Sequence, residues 1–270
     1  FEKIIHKFIP LNLPSCYLEG YEELSCVSQD HSWPSNPKVI FTANADIWDD
    51  VFKVYAAQKV DAGAALVIGQ HGGHYGMTPF SFTEDHQIEI SDKWLSWGWS
   101  DICRPKITPV GNFKAGIKLL KYNNNGAALM VEGAFPRYSY YLYAVPIASQ
   151  WLKYFESQKI FINSLPSHIR DMLILKLYPN DYGWDQAERF REVMKDENIS
   201  DDEETVSQLV KRSRLYISTY NATTYLESLS SNIPTVIFWD PSQWEINADA
   251  APYFDLLKDV GIFHETPESA

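Results

Sequence analysis

Residues 64–73 have the sequence AALVIGQHGG, in which an apolar run of strand length passes directly into a loop of glycines and histidines. Residues 38–44 (KVIFTAN) form an earlier run of the same kind, and residues 49–62 between the two carry apolar side chains at helical spacing. A strand, a helix and a further strand in this order predict a parallel βαβ unit.

The same alternation restarts further along the chain. Helices are predicted at residues 147–157, from 167, at 185–195 and at 222–230, and strands at 127–133, 159–165, 173–179, 213–219 and 235–239. Between the halves, residues 86–99 predict a strand or strand pair, and the prolines and glycine of residues 104–113 mark a boundary. We therefore predict an α/β protein with two Rossmann-like lobes, residues 1–110 and 111–270.

The acidic run at residues 201–204 predicts a solvated helix start without a functional role.

Charge and cysteine usage exclude several classes of protein. The chain carries 23 Lys and Arg against 35 Asp and Glu, a net charge of -12, which argues against binding along a nucleic-acid backbone. Its three cysteines lack zinc-site spacing, and no apolar run reaches 18 residues. We expect a cytoplasmic protein and, because the sequence begins at Phe1, a piece of a longer polypeptide that carries further domains.

The loop QHGGHYG at residues 70–76 is the sharpest candidate site. Ligands of open α/β sheets bind beyond the carboxyl ends of strands, and Gly72 and Gly73 would let the backbone approach a ligand closely. His71 and His74 could carry protons, and Gln70 lies beside them. The alternatives are a plain turn in which His71 caps the strand and a metal site, although the helical HExxH spacing is absent.

Two carboxylates are candidates for nucleophile or base. Asp92 enters an aromatic, strand-like segment, where an unpaired buried acid would be costly. Glu19 stands among apolar neighbours. A charged loop is the alternative, and it is the better interpretation for the nearby Glu84 and Asp85.

Polar residues at three strand ends of the second half predict a nucleotide site. Asn221, Thr223 and Thr224 can cap the following helix, whose free N–H groups would hold a phosphate, while Glu227 could reach a ribose hydroxyl. The alternatives are ordinary helix capping by Asn221, Thr223 and Thr224, and a plain surface position for Arg137. With the glycine loop included, the predicted donor-binding residues are Gln70, Gly72, Gly73, Arg137, Tyr178, Pro179, Tyr220, Asn221, Thr223, Thr224 and Glu227.

Four segments together resemble a known group of enzymes. QHGGHYG (70–76), SDKWLSWGW (91–99), LKLYPNDYGW (175–184) and YNATTYLESLSSNIPTVIFW (220–239) are similar to transferases of bacterial surface-carbohydrate biosynthesis, above all the β-Kdo transferases. The resemblance covers residues 10–245. It implies a GT-B-type glycosyltransferase with the acceptor side in the first lobe and the nucleotide in the second, without a metal or cofactor.

The resemblance also implies a reaction and residue roles. It implies transfer of Kdo, or a related acidic 2-keto sugar, from a CMP-sugar donor to a lipopolysaccharide, O-antigen or capsule glycan, with retention of configuration. Thr223, Thr224 and Glu227 match the donor-binding helix start, whereas Tyr178-Pro179 stands where related CMP-sugar transferases have His-Pro. A UDP- or GDP-sugar donor, a nucleotide-sugar epimerase and a non-catalytic glycan- or nucleotide-binding module stay open as alternatives. A lipid-carried acceptor would place the enzyme at the inner membrane.

Overall fold

The computed structural model describes residues 2–113, 119–138, 144–200 and 204–270. The chain forms two compact units, Phe1–His71 with Thr83–Phe113, and Gly72–Phe82 with Lys114–Ala270. The segment Gly72–Phe82, which the predicted boundary after residue 110 assigns to the first lobe, thus belongs to the second unit.

The first unit contains a four-stranded parallel sheet in the order β1-β2-β3-β4. Its strands are β1 (Val39–Thr42), β2 (Ala65–Gly69), β3 (Lys93–Ser96) and β4 (Ile107–Pro109). Its helices are α1 (Glu2–Asn12), α2 (Tyr21–Asp30), α3 (Ala45–Trp48), α4 (Asp50–Asp61) and α5 (Phe82–Ile90), with a short 3-10 helix at Ser15–Tyr17. Buried apolar side chains from successive strands, among them Ile40, Ile68 and Trp94, form its core.

The second unit contains a six-stranded parallel sheet. Its strands are β5 (Ala127–Val131), β6 (Leu173–Lys176), β7 (Ile199–Ser200), β8 (Ser213–Ser218), β9 (Thr235–Phe238) and β10 (Phe263–His264). Its helices are α6 (Gln150–Ser164), α7 (Ser167–Arg170), α8 (Gln186–Arg191), α9 (Val206–Lys211), α10 (Thr224–Ser230) and α11 (Ala251–Asp259), with a 3-10 helix at Asp196–Asn198. The strand order is β7-β6-β5-β8-β9-β10, so the connections reverse direction between β5 and β8. Such a reversal is the topological switch point of a doubly wound sheet.

Both faces of this sheet are buried, as the alternation of side chains on β5 shows. Leu129 and Val131 join one apolar cluster, whereas Ala128 and Met130 join the cluster on the opposite face. Burial on both faces explains why the strand is a continuous apolar run in the sequence. The predicted α/β class with parallel sheets is confirmed.

One predicted strand, at residues 159–165, is wrong, and the prediction for residues 86–99 is only partly right, because strand β3 occupies just Lys93–Ser96. Residues 86–90 belong to helix α5, whose buried positions Thr83, Glu84, Gln87 and Ile88 have helical spacing but are mostly polar, so the apolar period was hidden. Residues 159–164 continue helix α6, where Gln158, Phe161 and Ile162 lie on its buried face. The helix ends at Ser164, just before Leu165, because the residue that precedes a proline (here Pro166) avoids helical backbone angles.

Other local predictions concern helix starts. Helix α9 begins at Val206 after a capping box formed by Thr205 and Gln208, while acidic residues 201–203 lie outside the described residues.

In the described part of the chain, no helix combines the length and apolarity needed to cross a bilayer.

Candidate functional site

The loops after β5 and β8 flank the switch point and are tied together by hydrogen bonds. The Tyr154 hydroxyl lies 3.1 Å from the Gly133 backbone nitrogen, whose N–H donates to it, and 2.6 Å from Thr219 Oγ1. Thr219 Oγ1 in turn donates to the Val131 carbonyl at 3.1 Å. Because Tyr154 and Thr219 are buried, this network fixes the relative position of the two loops.

Tyr220 covers Gly133 in the same place. A Cβ built on Gly133 would lie 3.3 Å from the Tyr220 ring, so the glycine permits a close approach between ring and backbone. The Tyr220 hydroxyl lies 3.3 Å from Thr224 Oγ1, and burial raises the pKa of Tyr220 to about 12. The phenol therefore stays neutral at physiological pH.

The start of helix α10 differs from the predicted cap. Thr223 occupies the N-cap position, but its side chain makes no cap hydrogen bond; its Oγ1 accepts from the Gly73 N–H at 3.0 Å. Asn221 is buried, and its Oδ1 accepts from the Tyr225 hydroxyl at 3.1 Å. Its Nδ2 has no hydrogen-bond partner among the described residues. The side-chain caps predicted for this helix are thus replaced by contacts that hold the loops.

The glycine loop packs on this helix start within the second unit. A Cβ on Gly73 would lie 2.6 Å from the Ala222 carbonyl oxygen, so only glycine fits there. Further along the loop, the Gly76 carbonyl accepts from Asn247 Nδ2 at 2.9 Å, and the His74 ring lies 4.3 Å from that of Tyr75. Gly73, which the sequence analysis places in the first lobe, thus contacts Thr223 and Ala222 within the second unit.

Gln70 and His71 belong to the first unit. The buried Gln70 side chain accepts from the Trp97 backbone N–H at 2.8 Å and from Trp99 Nε1 at 3.0 Å, which gives it a structural role there. Burial lowers the pKa of His71, and the Ala43 carbonyl and the Asp46 charge offset that effect only in part. His71 is therefore a neutral imidazole at pH 7, the form that can accept a proton.

Glu132 is a site residue that the sequence analysis missed. It directly follows β5 at the switch point and is 1% exposed. Among the described residues neither carboxylate oxygen makes a hydrogen bond of ordinary geometry, although the Tyr178 backbone N–H and the Gln158 amide make weaker polar contacts with it. Burial raises the pKa of Glu132 well above its usual range, against the smaller effects of the Tyr178 backbone N–H and the Gln158 amide. The available signal was a single acid between an apolar strand and a glycine.

The predicted residues after β6 are exposed. Tyr178 and Pro179 line a cavity of about 450 Å³ at the carboxyl ends of β6 and β7. Arg137 is also exposed; it donates to the Gly183 carbonyl at 3.2 Å, and its guanidinium lies 5.4 Å from the centre of the Trp184 ring. Glu227 is half-buried on α10, one turn from Thr223.

The two carboxylates predicted to be catalytic lie elsewhere. Asp92 is exposed, not buried as expected, and its Oδ2 accepts from the Leu66 backbone N–H at 2.7 Å at the amino end of β3. Ligands of parallel sheets bind at the opposite edge, so this position gives a catalytic role no support. Glu19 is exposed in the turn before α2. Within the residues described, no three His, Cys, Asp or Glu side chains group closely enough to hold a metal ion.

The second unit therefore has the architecture of a doubly wound ligand-binding α/β domain, with polar loops at its switch point. The chain belongs to the LIC12162 family of transferases, whose model matches residues 1–270. No curated protein matches it. Among solved structures it is similar to WaaG, described as a glycosyltransferase involved in lipopolysaccharide biosynthesis, with 10% sequence identity and a TM-score of 0.37. The match covers 88% of this chain but only 66% of WaaG.

Proposed function

We propose that this protein is a GT-B-type glycosyltransferase that binds a nucleotide-sugar donor at the carboxyl edge of the six-stranded sheet. The single observation that carries the proposal is the convergence of the loops after β5 and β8 at the switch point, where mononucleotides bind in doubly wound sheets. Membership of a transferase family supports group transfer as the reaction.

The neutral donors of this edge suit a phosphate. Asn221 Nδ2, the Thr224 hydroxyl and the first N–H groups of α10 present hydrogen-bond donors without a lysine or arginine. Glu132 follows β5 at the same edge of the sheet, and burial raises its pKa well above the usual range, which reduces the negative charge that it brings to this edge. A protein of net charge -12 can thus offer a local anion site.

The donor that we propose first is a CMP-linked acidic 2-keto sugar such as Kdo, and the acceptor a lipopolysaccharide or capsule glycan. The support for this choice is the sequence resemblance in residues 70–76, 175–184 and 220–239. UDP- or GDP-sugars are the alternative donors. Under this proposal the leaving phosphate is stabilised by helix-terminal and side-chain donors, and no metal is required.

The first unit would serve the acceptor side, with His71 as the proton-accepting group. Its neutral form at pH 7 suits a general base for an acceptor hydroxyl. We propose that this chemistry takes place in the cytoplasm, at the inner-membrane face where lipid-linked acceptors are carried.

Calorimetric titration with CMP, UDP and GDP in the presence of EDTA tests the proposal. We expect nucleotide binding to the wild type, and at least tenfold weaker binding to Thr224→Val, which removes a hydroxyl but keeps the side-chain volume. Thr266→Val, in the exposed carboxyl-terminal segment, is the matched control and should bind like the wild type. If none of the three nucleotides binds, the proposed donor site is wrong.

A further inference from the structure

A cavity of about 450 Å³ lies beside the proposed phosphate position, beyond the carboxyl ends of β6 and β7. Its size falls in the range of small-molecule sites, about 300–1,000 Å³. Tyr178 forms part of its wall and stacks near-parallel with Tyr182, the ring centres 6.0 Å apart. An exposed aromatic face of this kind can stack on a planar heterocycle.

Gln186 lines the same cavity and is 2% exposed. Its Oε1 is buried and has no hydrogen-bond partner among the described residues. A buried acceptor without a partner is costly, because the group has lost its water and gained nothing in return. Such an atom at the wall of a cavity indicates a ligand that donates to it.

The surroundings fix which end of the Gln186 amide meets the ligand. Its Nε2 donates to the Asn180 carbonyl at 3.4 Å and faces the Asp181 carboxylate. Although burial opposes it, the backbone N–H groups of Gln186 and Asp185 lower the pKa of Asp181, so this carboxyl is ionised. An inverted amide would set its oxygen against two acceptors, and therefore Oε1 stays the atom available to a ligand.

The distance to the switch point fits one nucleotide. Strand β6 lies two positions from β8 in the sheet, which corresponds to about 10 Å at ~4.8 Å per strand. A phosphate beside the loop after β8 would thus leave its ribose over β5 and its base over β6. Arg191 also lines the cavity and pairs with Asp196 at 2.8 Å, which leaves the ionised Asp181 as the carboxylate of the wall that favours amino groups over carbonyl groups in the base.

We propose that this cavity holds the nucleobase of the donor and that Gln186 Oε1 accepts from its exocyclic amino group, selecting cytosine over uracil. The inference rests on the proposed function, because it assumes a nucleotide at the switch point. It deepens that function, since it assigns the donor class from contacts in the second unit.

The test is competitive binding of CMP and UMP, which differ at the N3–C4 edge of the base. The wild type should bind CMP about tenfold more tightly than UMP. Gln186→Met keeps the side-chain volume but removes the acceptor; it should lose about tenfold in CMP affinity and change UMP affinity less than twofold. Gln243→Met is the matched control, because Gln243 is also buried and donates to a backbone carbonyl at 3.4 Å, outside the cavity.

The outcomes separate this inference from the proposed function. If CMP and UMP bind equally to the wild type, or if Gln186→Met keeps the preference, base selection by Gln186 is wrong while the nucleotide site stands. If neither nucleotide binds, both are wrong. If Gln186→Met fails to fold, Gln186→Asn replaces it. This variant keeps the amide but shortens the side chain by one methylene, which moves the acceptor oxygen away from the base, so the same loss of CMP preference is expected.

Discussion

Replacement of Gly73 by alanine should destabilise the second unit. The new Cβ would lie 2.6 Å from the Ala222 carbonyl oxygen and 2.8 Å from Leu226 Cδ1, well under ordinary van der Waals contact. The nearer atom is backbone and cannot turn away, so the glycine loop must move and lose the hydrogen bond from Gly73 to Thr223 Oγ1. Overpacking costs about 1–3 kcal/mol and the lost hydrogen bond about 1 kcal/mol, which gives an expected loss of about 2–4 kcal/mol.

Urea denaturation followed by tryptophan fluorescence measures this loss, with Gly72→Ala as the matched control. The Cβ of that variant would meet the His74 imidazole at 3.1 Å, and a side chain can shift, so its cost should stay below about 1 kcal/mol. Gly73→Ala should also weaken CMP binding, because Thr223 and Ala222 precede α10. A Gly73→Ala variant as stable as Gly72→Ala would refute the packing of the loop on the helix start.

Three further predictions concern buried polar groups. Thr219→Val removes a hydroxyl that contacts both Tyr154 and the Val131 carbonyl, and should lower the free energy of unfolding by about 1–3 kcal/mol in urea titrations; no loss would show that the network is not stabilising. Burial raises the pKa of Glu132, so its protonated form contributes stability below pH 4.5, and this stability is lost as the pH rises toward the raised value. Glu132→Gln should therefore be at least as stable as the wild type at pH 8. A large loss of stability in this variant at pH 8 would argue for an ionised carboxylate. Burial lowers the pKa of His71, so neutral His71 contributes folding stability above pH 6.5 that is lost as the pH falls. His71→Gln should therefore lose less free energy of unfolding than the wild type between pH 7.5 and 5.5. An equal loss in both proteins would contradict the lowered pKa of His71.

The sequence predicts the class of fold because buried parallel strands are continuous apolar runs with glycine-rich or polar ends. It fails where a helix buries polar side chains: α5 places Glu84 and Gln87 inside, so the helical period of its apolar residues disappears. It also fails at α6, where β-branched and aromatic residues within the second half of a long helix imitate a strand.

The candidate site was predictable in its position but not in its contacts. Thr223 and Thr224 follow a strand and precede a helix, a pattern that places them at the sheet edge. That Thr223 holds Gly73 instead of capping its helix depends on a partner 150 residues away, which no local pattern indicates. The burial of the two acids likewise depends on the tertiary structure and not on their neighbours in the sequence. Asp92 has aromatic neighbours, which suggested burial, but it is exposed, whereas Glu132 is buried because β5 lies in the centre of its sheet.

The most direct test of a donor site at this edge is hydrogen–deuterium exchange of the protein with and without CMP. We expect slower exchange in residues 72–77, 132–138, 177–187 and 219–227, the segments that follow β5, β6 and β8 together with the glycine loop, and little change at the amino ends of the strands. Protection confined to the first unit, or no protection at saturating CMP, would contradict a nucleotide site at the switch point of the six-stranded sheet.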